Sequence, residues 1–219
     1  MKVGTDSVLL GAWVDHLNPK KILDIGCGTA LLTLMMAQRF PDAMISGIEI
    51  DPKALIDARY NVEHSPWSDR IDLIEGSVFE NAIPQLFDLI ISNPPFFSMD
   101  TPSPIENRAL ARSGSGFLLN DWIIEAKNKM LSSGRLAIIL PLSQKAQLEQ
   151  LAAQNALFIH RICFVKPNRS KDAHRFMVEM KLNSCDQLES ESITIEKDIR
   201  HEYTDEYIKL TRSFYLNMD

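Results

Sequence analysis

The sequence predicts an α/β fold with a seven-stranded, mostly parallel sheet and helices on both of its faces. Short apolar runs alternate along the chain with longer amphipathic stretches, which is typical of βαβ units. The first apolar run enters a glycine turn that opens a helix, as in α/β proteins that bind a ligand at the end of a strand. The length of 219 residues fits a single large domain over 1–219.

The predicted strands are short apolar runs bounded by charged or turn-forming residues. They cover residues 21–25, 44–50, 71–75, 87–92, 136–140, 157–165 and 174–182. The last two form a C-terminal β-hairpin, and a short tail follows them.

The predicted helices are amphipathic stretches with recognisable ends. They cover residues 6–16, 30–39, 52–64, 117–131, 144–155 and a region near 205–214. Thr5 or Asp6 would cap the first helix. Pro52 suits a first helical turn, and Gly134 would follow the end of the fourth helix.

Other stretches lack the period of either element. Residues 94–116 are rich in proline, serine and glycine and predict a loop, and a loop this long in a compact domain is usually functional. Residues 183–192 predict a polar linker, followed by a short alternating piece at Ile193 and Ile195. A solvated acidic face is expected at Glu189, Glu191, Glu196 and Asp198.

Composition and charge exclude several classes of protein. With 45% hydrophobic and 24% charged residues the chain resembles an average globular protein and not a disordered one. No apolar run reaches the roughly 18 residues of a membrane helix and no signal peptide is recognisable, so we expect a cytoplasmic protein without membrane contact. The three cysteines are too far apart for a disulfide framework, and the five histidines lack ligand spacing, so no metal is expected. With a net charge of -6, a nucleic-acid partner would need a local basic patch, and nothing indicates a protein partner.

The first chemical motif joins a buried strand to a glycine turn. Asp24, Gly26 and Gly28 form the pattern Asp-x-Gly-x-Gly, and glycine lets the backbone approach a ligand closely. A dinucleotide-binding turn would place a third glycine at position 31, where this chain has Leu31, and Asp24 would repel its pyrophosphate. S-adenosylmethionine carries a sulfonium and an amino group, which suit that carboxylate. The sequence therefore predicts S-adenosylmethionine as the cofactor.

Further candidate cofactor residues follow the second and third strands. Glu49 stands about 20 residues past the glycines, where a carboxylate binds the ribose diol of either class of cofactor. Ser77 and Val78 stand where an adenine ring would lie. The candidate cofactor residues are Thr5, Asp24, Gly26, Cys27, Gly28, Glu49, Ile50, Ser77, Val78 and Asn93.

The second chemical motif, Asn93-Pro94-Pro95-Phe96, follows the fourth strand. Consecutive prolines stiffen the backbone, and the Asn93 amide offers an acceptor and two donors at a fixed point. If the Asn93 oxygen and the Pro94 carbonyl accept both hydrogens of a planar amine, the nitrogen lone pair can attack a sulfonium methyl group in line. Phe96 would hold the ring of the amine by stacking. We therefore expect Asn93, Pro94, Pro95 and Phe96 to be catalytic.

With these two motifs the chain resembles the class I S-adenosylmethionine-dependent methyltransferases that act on amino groups, which implies a Rossmann-like fold. Residues 1–13, 202–207 and 214–216 look like the corresponding segments of the tRNA1(Val) adenine-37-N6 methyltransferases, and the resemblance covers essentially the whole chain. It implies methylation of the N6 amine of the tRNA adenosine just 3′ of the anticodon. Many methyltransferases have an aspartate where this chain has Ser77. Family members usually carry a short segment before the opening motif, whereas this chain starts at the motif. If an edge of the cofactor or RNA pocket is missing for that reason, we expect weaker activity.

Basic residues in two regions are candidate RNA contacts, because a Lys or Arg that neutralises a phosphate releases counterions and adds affinity. One region is the predicted hairpin loop, and the other is the loop after the second motif. The candidates are the aromatic residue Phe97 and the basic residues Arg108, Arg112, Lys166, Arg169, Lys171 and Arg175. The alternative for the charged residues is an ordinary solvated loop. Trp13 either stacks on a base or, as a helix-face residue, joins the core.

Two other functions fit the same motifs. Methyltransferases for other planar amines, such as the guanine N2 of ribosomal RNA or the glutamine N5 of a protein, use similar motifs, but many have a second domain for which 219 residues leave no room. A non-catalytic S-adenosylmethionine-binding protein would keep the fold, and the intact Asn93-Pro94-Pro95-Phe96 motif argues against it.

Overall fold

The computed structural model describes residues 4–15, 18–80, 83–94, 119–184 and 187–216. The strands in these ranges are β1 (Lys21–Ile25), β2 (Met44–Glu49), β3 (Ile71–Glu75), β4 (Phe87–Ser92), β5 (Met130–Pro141), β6 (Phe158–Asn168), β7 (Arg175–Lys181) and β8 (Glu189–Glu196). The α-helices are α1 (Thr5–Trp13), α2 (Leu31–Arg39), α3 (Pro52–Glu63), α4 (Leu119–Asn128), α5 (Lys145–Gln154) and α6 (Asp205–Thr211). None of the helices in the described ranges is long and apolar enough to cross a membrane.

All of these strands join one sheet in the order β3-β2-β1-β4-β5-β7-β6-β8. The first five strands in this order run parallel to one another, so β1, β2 and β4 end at one carboxyl edge. β7 runs antiparallel to β5 and β6, and Arg175 at its start pairs with Pro141 at the end of β5. The loop between β6 and β7 therefore lies at the same carboxyl edge as the ends of the parallel strands.

Apolar helix faces cover both sides of the sheet. On one side α1, α2 and α6 bury Leu9, Met36 and Tyr207 against the strands. On the other side α4 and α5 bury Trp122 and Leu148. Complete burial of each large apolar side chain contributes roughly 1.5–3 kcal/mol of hydrophobic free energy, so the two layers hold the strand ends in place.

Buried polar contacts fix the C-terminal end of α1. The Arg39 guanidinium donates to the carbonyl oxygens of Gly11 and Val14, each at 2.7 Å. The carboxylate of Glu179, which is fully buried in β7, accepts from the Asp15 backbone N–H at 2.8 Å. These contacts satisfy helix-end groups that would otherwise lack partners, and they fasten α1 to α2 and the sheet.

An eighth strand corrects the prediction of seven strands and of a polar linker over 183–192. β8 pairs in parallel with β6, and its burial pattern marks Ile193 as its one buried position. Such an edge strand is polar in sequence, and for that reason it lacks the apolar run on which the prediction relied. The Glu191 side chain is 47% exposed, as the predicted solvated face requires, and it also accepts from Trp13 Nε1 at 2.6 Å and from Arg161 at 2.8 Å. Trp13 is 5% exposed and belongs to the core, which confirms the second of the two roles predicted for it.

Helix α4 and strand β5 meet earlier than predicted. α4 ends at Asn128, and Gly134 lies within β5, where the pairing with β4 shifts register after Phe87. A Cβ atom at Gly134 would lie 2.9 Å from the carbonyl oxygens of Leu131 and Phe87. Glycine is required here for the close approach of two backbones at an irregular pairing, and not to end a helix.

Helix α1 begins without the predicted side-chain cap. Its N-cap residue is Gly4, and no side-chain hydrogen bond caps the helix. The Asp6 carboxylate accepts from Arg175 Nε at 3.0 Å instead. A carboxylate in the first turn still interacts favourably with the helix dipole. The contact with Arg175 also connects α1 to the start of β7.

Candidate active site

The glycine turn after β1 is pinned to the end of β2. Gly26 and Gly28 have positive φ angles of 71° and 58°, which glycine adopts without steric cost. The backbone N–H groups of Gly26 and Cys27 donate to the Ile48 carbonyl at 2.9 and 3.1 Å, and the Gly28 N–H donates to Glu49 Oε2 at 2.8 Å. A Cβ atom at Gly26 would meet no heavy atom of the described residues within 4 Å. Open space beside the turn lets a ligand approach the backbone.

Asp24 is a buried carboxylate with one unused oxygen. Its side chain is 0% exposed, and Oδ2 accepts from the Thr33 hydroxyl at 2.7 Å. Oδ1 has no hydrogen-bond partner in the described part of the chain. Burial, opposed by the Thr33 hydrogen bonds, raises the pKa of Asp24 to about 7. A buried carboxylate at the glycine turn, with an oxygen that has no partner among the described residues, can accept hydrogen bonds from a cationic ligand.

Cys27 lies in the same turn and is not a nucleophile. Burial, with the nearby Asp24 and Glu49 carboxylates, raises the pKa of its thiol far above the usual range. The thiol stays protonated at neutral pH, so Cys27 contributes backbone and packing to the turn.

Glu49 ends β2 with both oxygens in use and lone pairs to spare. Oε1 accepts from the Asp51 backbone N–H at 2.8 Å, and Oε2 accepts from Gly28. An ionised carboxylate has about four acceptor sites, so two remain for a diol. Ile50, the next residue, is half-buried just beyond the strand.

Ser77 and Val78 lie next to the end of β2. The Gly76 N–H donates to the Glu49 carbonyl at 2.9 Å, which joins the end of β3 to the end of β2. Val78 is 5% exposed, and the Ser77 hydroxyl accepts from the Phe79 N–H at 3.3 Å. The place is the one predicted for an adenine ring, and the adenine contact itself stays a prediction.

The second motif is joined directly to the first. The Ser92 hydroxyl, at the end of β4, donates to the Ile25 carbonyl at 2.6 Å. Asn93 is half-buried after β4, and its Nδ2 donates to the Ser7 hydroxyl of α1 at 2.9 Å. Sequence reasoning missed Ser7 and Ser92, since both contacts link residues far apart in the chain and leave no local signal.

The structure describes only some of the remaining site candidates. Pro94 is buried, and Thr5 is exposed in the first turn of α1. The following candidates lie outside the described residues: Pro95, Phe96, Phe97, Arg108 and Arg112.

The hairpin of β6 and β7 carries the basic candidates: Lys166 lies near the end of β6, Arg169 and Lys171 lie in the loop, and Arg175 starts β7. Lys166 is partly exposed, and Arg169 and Lys171 are exposed. In the described part of the chain no ion pair involves these three side chains. Arg175, in contrast, is engaged by Asp6 and holds the loop against α1. Asn168 orders the loop, since its side-chain oxygen accepts from the backbone N–H and the hydroxyl group of Ser170.

Comparison with known proteins places this site in a family. A family model of the methyltransferase small domain matches residues 2–153. A tRNA1(Val) (adenine(37)-N6)-methyltransferase from Vibrio parahaemolyticus is 37% identical over 219 residues, which cover 100% of this chain and 90% of that protein. A protein of the same name from Flavobacterium johnsoniae is 41% identical over 223 residues, with 100% of this chain and 94% of that protein covered. The chain belongs to the tRNA1(Val) (adenine(37)-N6)-methyltransferase family. The resemblance to this family, which rests on residues 1–13, 202–207 and 214–216, is thereby confirmed.

Solved structures confirm the fold of this methyltransferase. A predicted O-methyltransferase from Agrobacterium tumefaciens matches it with a TM-score of 0.73 at 22% identity, covering 95% of this chain and 96% of that one. The α/β class I methyltransferase architecture predicted from the sequence is therefore correct, with the one additional strand noted above. The match to the methyltransferase small domain spans the glycine turn, Glu49 and Asn93.

Proposed function

We propose that this enzyme transfers the methyl group of S-adenosylmethionine to the exocyclic N6 amine of adenine 37 in tRNA1(Val). The observation that carries the proposal is the 2.6 Å hydrogen bond from Ser92 to Ile25. It joins the residue before Asn93 to the residue before Gly26, so an amine-binding motif and a cofactor-binding turn share one edge of the sheet. Similarity over the whole chain to proteins named for this activity supports the choice of tRNA and base.

The buried carboxylates fit the cofactor. With S-adenosylmethionine bound, Asp24 Oδ1 would accept from its amino group, Glu49 would accept from the ribose hydroxyls, and Ser77 and Val78 would border the adenine. The proposed cofactor site also includes Thr5, Cys27, Ile50 and the two glycines. S-adenosylmethionine supplies a methyl group on a sulfonium, and an N–C bond forms as the S–C bond breaks.

Asn93 prepares the nucleophile. The lone pair of an adenine N6 amine is delocalised into the ring and is a poor nucleophile. The Asn93 oxygen and the Pro94 carbonyl accept its two hydrogens, which favours a tetrahedral nitrogen with its lone pair directed at the methyl group. These acceptors also stabilise the positive charge that develops on the nitrogen, and one amine proton then leaves to solvent. Pro95 and Phe96 lie outside the described residues and stay candidates from the sequence, since consecutive prolines stiffen a backbone and a phenylalanine ring can stack on a base.

The β6–β7 hairpin supplies the tRNA contact at this edge. Lys166, Arg169 and Lys171 are free of ion pairs in the described ranges and can face phosphates, and Arg108, Arg112 and Phe97 are further candidates from the sequence. Position 37 lies in the anticodon loop, where unstacking a base costs little. Since the proposed substrate is a tRNA, we propose that the enzyme acts in the cytoplasm.

Alanine substitutions in the β6–β7 hairpin should weaken tRNA binding and leave chemistry intact. Each of Lys166→Ala, Arg169→Ala and Lys171→Ala should raise the KM for tRNA severalfold and lower the slope of log Kd against log salt by about one, with kcat unchanged. Fluorescence anisotropy with labelled tRNA over a salt series measures the slope. Lys20→Ala, at the amino edge of the sheet, is the matched control and should change neither quantity. Unchanged slopes in all three hairpin variants would remove this hairpin from the interface.

Nucleoside mass spectrometry tests the proposed activity. The enzyme is incubated with S-adenosylmethionine and tRNA from cells that lack this modification, and the digested tRNA is searched for N6-methyladenosine. We expect the product, and fragment mapping should place it at position 37 of tRNA1(Val). N2-methylguanosine in ribosomal RNA or N5-methylglutamine in protein, in parallel reactions, would show a different planar amine as substrate. Cofactor binding without any methylated product would favour the non-catalytic alternative.

A further inference from the structure

We infer that Ser7 is a positioning residue for catalysis, because its hydroxyl holds the Asn93 amide with the oxygen available to the substrate amine. The inference rests on the proposed role of Asn93. Its basis is the hydrogen bond of 2.9 Å from Asn93 Nδ2 to Ser7 Oγ, which connects the first turn of α1 to the end of β4.

Only one orientation of the Asn93 amide satisfies both of its ends when an amine is bound. With Nδ2 toward Ser7, Oδ1 accepts from the substrate amine and the Ser7 oxygen accepts from Nδ2. With the amide rotated by half a turn, its NH₂ group would face the NH₂ group of the substrate, and two donors would oppose each other. A hydroxyl can accept or donate, and in this structure the Ser7 oxygen accepts from Asn93 Nδ2, so the amide already has the orientation that leaves Oδ1 for the substrate amine.

Contacts at both ends of α1 hold the helix that carries Ser7. At the first turn, Asp6 pairs with Arg175 of β7 at 3.0 Å. At the last turn, Arg39 binds the carbonyl oxygens of Gly11 and Val14. Because the helix is fixed before substrate arrives, the orientation of Asn93 need not be established during the reaction.

Ser7 has no capping role that would explain it. The N-cap of α1 is Gly4, and no side chain caps the first turn. Asp6 and Ser7 are neighbours whose side chains bind outside the helix, one at the β6–β7 hairpin and the other at Asn93. The start of α1 thus lies between the proposed tRNA contact and the proposed catalytic amide.

Single-turnover methylation of tRNA1(Val) by Ser7→Ala and Ser7→Thr tests the inference. Ser7→Ala should lower the rate about tenfold, the change that corresponds to one neutral hydrogen bond. Its Kd for S-adenosylmethionine and its Tm should match those of the unsubstituted enzyme, and Ser7→Thr, which keeps the hydroxyl, should restore most of the rate. Ser65→Ala is the matched control, since it removes a hydroxyl that binds the Val62 carbonyl at the end of α3.

A double-mutant cycle with Asn93→Ala separates positioning from structural support. If Ser7 acts through Asn93, Ser7→Ala should have almost no further effect once Asn93 is alanine. A rate loss that adds fully to that of Asn93→Ala, together with a lower Tm, would show a structural role and overturn the inference. A normal rate in Ser7→Ala beside an inactive Asn93→Ala would overturn the inference and leave the proposed function standing. A normal rate in Asn93→Ala would overturn the proposed catalytic motif itself.

Discussion

Replacing Asn93 with alanine should lower kcat by roughly 10²–10³-fold, the loss typical of removing one preorganised polar group from a transition state. The Asn93 oxygen stands at the end of β4, where its position is set by the sheet and by Ser7. It interacts with the substrate amine most strongly as that nitrogen gains positive charge, so its removal weakens transition-state binding more than substrate binding. Cofactor affinity should stay within about threefold, because Asp24 and Glu49 lie on other strands and keep their contacts.

Radiolabelled methyl transfer to tRNA gives kcat, and isothermal titration with S-adenosylmethionine gives the affinity. Asn155→Ala is a matched control at the C-terminal end of α5, where the amide donates to Asn120 and to the Leu151 carbonyl. α5 runs back from the carboxyl edge, so its end lies at the opposite edge of the sheet, and this variant should keep full activity. An Asn93→Ala enzyme with normal kcat would contradict the proposed mechanism.

The parts of the fold that the sequence predicts well have local causes. β1, β3 and β4 have the predicted bounds, because each is an apolar run that a charge or a turn residue ends. The glycine turn is equally local, since positive φ angles at Gly26 and Gly28 require glycine whatever surrounds them. The carboxyl edge follows from the parallel order of the strands, so the proximity of the two motifs could be expected from the fold class alone.

The parts that escape prediction depend on partners distant in sequence. β8 has the composition of a linker, and it becomes a strand because β6 offers an unpaired edge. Gly134 reads as a helix stop, yet its cause is a crowded backbone opposite Phe87. Ser7 is an ordinary helix-start residue until the sheet brings Asn93 to it. In each case the residue type is compatible with several roles, and the tertiary contact selects one.

Replacing Asp24 with asparagine should abolish useful cofactor binding and at the same time stabilise the fold. Burial raises the pKa of Asp24 from 3.8 to about 7, a shift equivalent to roughly 4 kcal/mol of unfavourable free energy for the ionised side chain. Asparagine carries no charge, but its amide would leave a buried donor unpaired at a cost of about 1–3 kcal/mol. The net expectation is a gain of about 1–3 kcal/mol in the free energy of unfolding at pH 7.5. Affinity for S-adenosylmethionine should fall at least 100-fold, because the cationic amino group loses its buried partner.

The pH dependence of both effects follows from the sign of this shift. Because the folded protein holds the Asp24 proton more tightly than the unfolded chain, the contribution of Asp24 to stability falls as pH rises from about 4 to 7. Urea unfolding should therefore show a larger advantage of Asp24→Asn at pH 7.5 than at pH 5. The unsubstituted enzyme must ionise Asp24 to bind a cation, so its affinity should weaken by up to tenfold per pH unit below 7, and the variant should lack this dependence.

Asp88→Asn is the matched control for Asp24→Asn. Asp88 is the second residue of β4, near the amino edge of the sheet, and its carboxylate accepts from the backbone N–H groups of Lys20 and Lys21 at 2.9 Å each. Loss of that charge should leave cofactor affinity unchanged and should not stabilise the fold, since the carboxylate is already well paired. The two aspartates differ in that Asp24 Oδ1 has no partner in the described residues, whereas the Asp88 carboxylate has its partners in the fold. If Asp24→Asn were less stable than the unsubstituted enzyme yet bound cofactor normally, Asp24 would belong to the structural class, and the cationic ligand would have to bind elsewhere.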